Sequence, residues 1–289
     1  MHYSVESEDI EAISALPNVK VSVAAGDAMG HTQREKINKI RDAVILEHAN
    51  SPIDAVLVLG DLSIDDFGFR NLPMRWCERF KTECMDALPC PSFAIAGNHD
   101  SHPNEVWREI FGYEREYALE FGDVVFLMLD NFRALPAHSA SGAAYTPTNV
   151  DFLRAMLDKY NGKKIFLCSH HFDLDKDSAE FYNEVRSNKN IISLFRGHTH
   201  IHKVISDPLL GSKPLIDIGG YAYMGFCRGN DVWDFSVYDE SYAWGYQILE
   251  VHDDKILAYH VTDKAHYRAS NGDFDLDRKI SDTVELPIE

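Results

Sequence analysis

The sequence has no apolar run near the eighteen or more residues of a membrane-spanning helix, and its opening, MHYSVESEDIEAISALPNV, has no basic stretch leading into an apolar one. Neither a membrane span nor a secretory leader is expected, and a cytoplasmic protein is. Basic residues are scarce: 28 Lys and Arg stand against 46 Asp and Glu, a formal net charge of -18. Such a chain repels nucleic acid and anionic membranes unless bound cations offset the charge, so bulk nucleic-acid binding and membrane association are not expected. The five cysteines (Cys77, Cys84, Cys90, Cys168, Cys227) are odd in number and lack the paired spacing of thiolate zinc sites, which predicts reduced thiols. There is no internal repeat and no linker, and 45% hydrophobic residues can fill one large core. A single domain over residues 1–289 is expected, with an acidic, weakly periodic C-terminal extension from about residue 268, either a peripheral hairpin or a partly disordered end.

What the chain does have is five short apolar runs that end in polar residues: VKVSVAAGD, DAVLVLGD, SFAIAGNHD, KKIFLCSHH and IISLFRGHTH. Each has strand length, and continuous rather than alternating apolarity suits strands buried on both faces. Between them lie amphipathic helical patterns. TQREKINKIRDAVILEHAN carries Ile37, Ile40 and Val44 on one face and opens with Thr32 and Glu35 at capping-box spacing. NLPMRWCERFKTECMDAL and TNVDFLRAMLDKYNGK read the same way, the latter from a Thr or Asn cap to a stop at Gly162. Strand and helix in alternation predict an α/β fold with ligands at the carboxyl ends of the strands, so the polar clusters should converge.

Converged, Asp27, Asp61, Asn98, His170, His198 and His200 supply two carboxylates, one amide oxygen and three imidazoles. That mixture suits Mn²⁺, Fe²⁺ or Zn²⁺ better than Ca²⁺, which takes all-oxygen shells. Six ligands exceed one tetrahedral ion, and two divalent ions sharing a carboxylate is the natural partition. Taken singly, Gly-Asp is a common turn and a lone histidine at a strand end is commonly a core residue; their joint occurrence in one order points to a site.

Gly60-Asp61, Gly97-Asn98-His99-Asp100, His170 and Gly197-His198-Thr199-His200, in that order over roughly residues 20 to 202, resemble the signature of the calcineurin-like metallophosphoesterase superfamily. YEREYALEFGDVVFLMLDN looks like the family's strand pair after the Asn-His-Asp loop, and GYQILEVHDDKILAYHV like the closing hairpin of its second sheet. The resemblance implies an α/β (α+β) fold, a four-layer αββα sandwich of two mixed β-sheets with helices outside. It also implies that Asp61 bridges both ions, that Asp27 and His200 serve one, and that Asn98, His170 and His198 serve the other. His99 would then donate a proton to the leaving group, oriented by Asp100, while a metal-bridging hydroxide attacks phosphorus. The expected activity is hydrolysis of a phosphomonoester or phosphodiester, with a small-molecule or nucleotide phosphate ester as substrate.

One position departs from the pattern. Where the family's first motif has His, this chain has Met29, and a thioether is a weak ligand for these metals. Three readings stay open. Water fills a weakened first site; or His31, in the same loop, is an additional metal ligand; or the chain follows the branch that uses a tyrosine after Gly-Asp, which Ile64 in that place disfavours. Met29 also sustains a reading from another class, a catalytically weakened member acting as a protein-interaction scaffold.

Elsewhere, His2, His48, His138, His252, His260 and His266 are expected at solvent or on helix surfaces, while His102, His171 and His202 adjoin the motifs. RALPAHSASGAAYTP is a connector or a rim, and residues 221 to 243, which include Trp233, are a candidate substrate-side wall.

Overall fold

The computed structural model describes residues 33–63, 76–100, 102–134, 142–220, 226–228, 232–234, 245–262 and 280–286. Asp27, Met29 and His31, the expected first strand, Ile64, and most of the stretches 135–141 and 221–243 lie outside the described residues.

Helix α1 (Gln33–Asn50) buries Ile37, Ile40 and Val44, the face expected from the 3.6-residue period, and stops ahead of Pro52. Strand β1 (Val56–Val58) pairs in parallel with β2 (Ser92–Ala94). Between them, α2 (Trp76–Phe80) widens into a π turn over Lys81–Met85, closed by Asp86 N–H donating to Lys81 O at 2.8 Å. Helix α3 (Asn104–Phe111) ends at Gly112 in the left-handed conformation.

The larger sheet has six strands. These are β3 (Tyr117–Phe121), β4 (Val124–Leu129), β5 (Lys164–Ser169), β6 (Ile191–Arg196), β7 (His202–Ile205) and β8 (Leu215–Ile218), in spatial order β3-β4-β5-β6-β8-β7. Strands β4, β5, β6 and β8 run parallel, and the two edge strands are antiparallel. Helices α4 (Val150–Lys159) and α5 (Ala179–Ser187) supply the crossovers. Asn149 caps α4 by accepting from Phe152 N, and Ser178 caps α5 by accepting from Phe181 N. A short β9–β10 ladder (Phe226–Arg228, Val232–Asp234) follows, then β11 (Gly245–Val251), β12 (Ile256–Thr262) and β13 (Ile280–Leu286) as an antiparallel meander.

Among the described residues, three apolar cores define the layers. Val125, Leu127, Leu129, Ile165, Leu167 and Leu194 face α4 and α5, whereas Val124, Met128, Phe166, Cys168 and Phe195, one residue out of phase, face the other way. There they meet Leu59 and Ile95 beside β1 and β2, and Ile256, Ala258 and Leu286 of the meander. A third core packs Val58, Ala94 and Ala96 against Ile37, Trp76, Phe80 and Trp107 of α1, α2 and α3. The order is helix, sheet, sheet, helix, which is the expected sandwich.

Residues 280–286 of the acidic tail form an edge strand paired antiparallel along β12, with Val284 and Leu286 reaching the inter-sheet core. One expectation needs correcting. His260 does not face solvent: it is fully buried, its ring stacked 4.0 Å from that of His202. The alternation of β12 turns position 260 inward together with Ile256 and Ala258.

Candidate metal centre

The ends of β1, β2, β5 and β6 meet at one point. Gly60-Asp61 leaves β1, Gly97-Asn98 leaves β2, His170 follows β5, and Gly197-His198 follows β6. Asp61, Asn98 and His170 are buried, and His198 keeps an exposed flank.

Their donor atoms touch. His170 Nε2 lies 3.1 Å from Asp61 Oδ2, 3.2 Å from Asn98 Oδ1 and 3.2 Å from His198 Nδ1, and His198 Nδ1 is 3.1 Å from Asn98 Oδ1. On its other side His170 Nδ1 is 2.7 Å from Leu59 O. A carbonyl only accepts, so Nδ1 carries the proton and Nε2 turns its lone pair toward the cluster. The Asp61 and Asn98 oxygens, the His170 Nε2 lone pair and His198 Nδ1 thus converge on one point. A single proton on Nε2 would lie along one of these lines and leave the others as acceptor against acceptor. A divalent cation satisfies all four: bonds of about 2.0–2.1 Å separate neighbouring ligand atoms by about 3.0–3.4 Å, the spacing found here. The donor set therefore fits a borderline divalent ion. Asp61, His170 and His198 also stand out by geometry alone as a metal-capable triad.

The backbone supports the same reading. Among the described residues, three non-glycine positions have positive φ, and all three are expected ligands: Asp61 (52°), His198 (64°) and His200 (56°). Such conformations cost L-residues energy and persist where surrounding contacts enforce them. Close approach is made possible by Gly97, where an added Cβ would collide with Asp61 Oδ1 and Asp61 N and lie 2.9 Å from Asp61 Cγ. Gly60, at φ +82°, is similarly crowded by His170 Nδ1 at 2.7 Å.

Partial burial keeps the imidazoles neutral. The His198 pKa is lowered from 6.5 to about 4 by desolvation and by His170 beside it, with Asp61 opposing. His200 is lowered to about 3, chiefly by burial, and His171 to about 3 by burial and by His198. Neutral rings are the form that ligates metal.

His99 sits against the cluster, its N–H donating to Asp61 Oδ1 at 3.1 Å. Asp100 has a different place from the one expected. Its Oδ2 accepts from Leu62 N (2.9 Å) and Gly97 N (3.0 Å), and its Oδ1 from Ser63 N (2.9 Å), Ser63 Oγ (3.2 Å) and Cys77 Sγ (3.4 Å). Both oxygens are saturated by donors from the two ligand loops and from α2; among the described residues none of these donors is the His99 ring. Asp100 ties the Gly-Asp loop to the Asn-His loop.

Other neighbours had little or no signal in the sequence. Phe132 packs edge-on to His170 with centroids 5.5 Å apart, and the buried Arg115–Asp130 pair fixes its backbone at N and O. Tyr145 of the Ala-Ser-Gly-rich stretch links the loops beside the cluster: its hydroxyl donates to Asp177 Oδ2 (2.5 Å) and accepts from Asn131 Nδ2 (2.8 Å) and Asp173 N (3.2 Å). Behind the Gly-His-Thr-His turn lies a buried ion pair, Arg196 Nε to Asp217 Oδ1 at 2.6 Å. An Asp within the apolar strand LIDI, and an Arg closing IISLFR, were the sequence signals for it.

A family model described as calcineurin-like phosphoesterase matches residues 23–202, more than half of the chain. The chain belongs to the calcineurin-like phosphoesterase family. Among solved structures it is similar to a dimetal phosphatase from Danio rerio at 13% identity, covering 88% of this chain and 89% of that one with a TM-score of 0.57, which is a likeness of fold. Two Vps29 structures align more loosely: that of a single mutant from Entamoeba histolytica at 13% identity, 94% of each chain and TM-score 0.40, and that from Chaetomium thermophilum at 12%, 83% and 85%, and 0.37. The comparison with curated proteins returns no match. As a calcineurin-like phosphoesterase, the chain has a fold associated with divalent metal ions and with phosphoester hydrolysis in general. Within the described residues of this phosphoesterase, no helix is long and apolar enough to cross a membrane.

Proposed function

We propose that this phosphoesterase hydrolyses a small phosphate ester, a monoester or diester, with two divalent ions drawn from Mn, Fe or Zn. The observation that carries the reading is the convergence of Asp61 Oδ2, Asn98 Oδ1, His170 Nε2 and His198 Nδ1 on one point, at 3.1–3.2 Å from one another along the recorded contacts. Those four residues hold one ion. Asp27 and His200, with Asp61 shared and His31 or water in place of the family's first His, hold the other. When bound, the ions lower the pKa of water and neutralise the phosphoryl oxygens. Leu59 O fixes the His170 tautomer, which turns the Nε2 lone pair toward the cluster. His99, held at the cluster by its backbone bond to Asp61, gives its ring proton to the departing alkoxide. The free thiols of Cys77, Cys84, Cys90 and Cys168 support a cytoplasmic setting.

The test is turnover of p-nitrophenyl phosphate and bis-p-nitrophenyl phosphate after Mn²⁺ loading. His99→Ala is expected to lower kcat by about 10²- to 10⁴-fold with the metal retained, and Asn98→Ala to lose metal and turnover together. Met29 favours one second reading, a scaffold with a weakened site. If no phosphate ester is turned over by the loaded wild-type protein while metal is bound, the scaffold reading replaces the enzyme.

A further inference from the structure

Strand β8 is buried and apolar except at Asp217, which is fully buried. Three residues of the chain entering and leaving the Gly-His-Thr-His turn bond to it in succession. Arg196 donates from Nε to Oδ1 (2.6 Å) and from Nη2 to Oδ2 (3.2 Å); Thr199 Oγ donates to Oδ1 (3.0 Å); His202 Nδ1 donates to the Asp217 carbonyl (3.0 Å). The contacts fall at positions 196, 199 and 202, bracketing His198 and His200, the two ligands whose backbones are left-handed. Arg196 also donates from Nη1 to Phe172 O at 2.5 Å, and Gly197 N to His170 O at 3.0 Å, so the same cluster ties in the loop that carries His170.

We propose that Asp217 is a positioning residue for the metal centre, acting through Thr199: the turn is wound around its carboxylate, and the Thr199 hydroxyl sets where His198 and His200 present their ring nitrogens. The inference rests on the metal-dependent reading above. A left-handed backbone at two histidines flanking a single residue costs energy. Within the turn the Thr199 N–H donates to Gly197 O at 2.7 Å, and the Thr199 hydroxyl adds a side-chain link from the turn to the sheet at Asp217. Arg196 neutralises the buried carboxylate and leaves Oδ1 able to accept from both partners.

Removing Asp217 would strand Arg196 and risks unfolding the chain, so the test uses Thr199→Val, which keeps shape and ion pair but deletes the hydroxyl, with Thr199→Ser as the restoring variant. Co²⁺ is the probe. Its affinity is measured by competition with a chelator, and its visible absorption band reports ligand geometry. Thr199→Val is expected to bind Co²⁺ about tenfold or more weakly, with a displaced band, while Thr199→Ser returns both to wild type. Urea midpoints of the metal-free proteins should agree, which separates positioning from stability. If wild type and Thr199→Val bind with the same affinity and spectrum, or Thr199→Ser restores neither, the positioning role is overturned while the metal reading stands. If wild type itself takes up no Co²⁺, the metal reading falls and this inference with it.

Discussion

Removal of the Asp100 carboxylate distinguishes a residue that orients His99 from one that joins two loops. In Asp100→Ala three backbone N–H groups, those of Leu62, Ser63 and Gly97, lose their acceptor at a position with no solvent exposure. Each buried unsatisfied donor costs about 1–3 kcal/mol, so the loss is about 3–9 kcal/mol, against total stabilities of about 5–15 kcal/mol. Asp100→Asn is milder. With its amide oxygen in the Oδ2 position it still accepts from Leu62 and Gly97, and the Ser63 hydroxyl and Cys77 thiol can rotate to meet the new NH₂. Only the Ser63 N–H is orphaned, a cost of about 1–3 kcal/mol. Urea unfolding of the metal-free proteins, with m unchanged, measures both. Asp100→Ala within about 1 kcal/mol of wild type would refute the reasoning. So would Asp100→Asn with unaltered stability and collapsed turnover, since that would return the carboxylate to His99.

Three further outcomes follow from the same geometry. Gly97→Ala drives a Cβ into Asp61 Oδ1 and must push that carboxylate away, so Mn²⁺ affinity measured by calorimetry should fall at least about tenfold. Acidification should destabilise the metal-free protein from about pH 6.5 downward: the unfolded chain takes up protons on His171, His198 and His200, whereas the folded chain holds these rings neutral until about pH 4 to 3. The stability present above pH 6.5 is lost on the way down, and urea midpoints that stay flat between pH 6.5 and 4 would contradict this. Chelation should lower the melting temperature and added Mn²⁺ should restore it in a concentration-dependent way, by about 2.7 kcal/mol at a hundredfold excess over Kd.

Much of the scaffold was legible because burial on both faces writes itself as continuous apolar runs, as in β5 and β6, while β4 came from the family resemblance. The Asn149 cap of α4 was likewise readable from local chemistry, and the β11–β12 hairpin came from the family resemblance. Strand β13 was legible only as one of two alternatives, a peripheral hairpin or a partly disordered end, because the isolated sequence ISDTVEL mixes charge with few apolar positions. The π turn of α2 left no periodic trace. At the centre, Asp61, Asn98, His170 and His198 were legible as residue types at strand ends. Asp100 reads in the sequence as a partner of His99, because a carboxylate stands next to a histidine; its hydrogen bonds to the Leu62, Ser63 and Gly97 N–H groups, to Ser63 Oγ and to Cys77 Sγ had no spacing signal. Tyr145 and Phe132 were silent, since a packing neighbour across loops has no fixed spacing in the chain.

Two of the four cluster ligands follow strands of one sheet, and two follow strands of the other, at positions 61, 98, 170 and 198. An ion held by all four works as a rivet through both layers. It can be captured only once the layers have come together, and it can escape only when they part or a loop lifts away. The exchange rate of the ion is therefore a clock for the opening of the site, by parting of the sheets or lifting of a ligand loop. A protein that releases its metal over hours would be reporting that one of these openings occurs on that timescale, long before any substrate is offered to it.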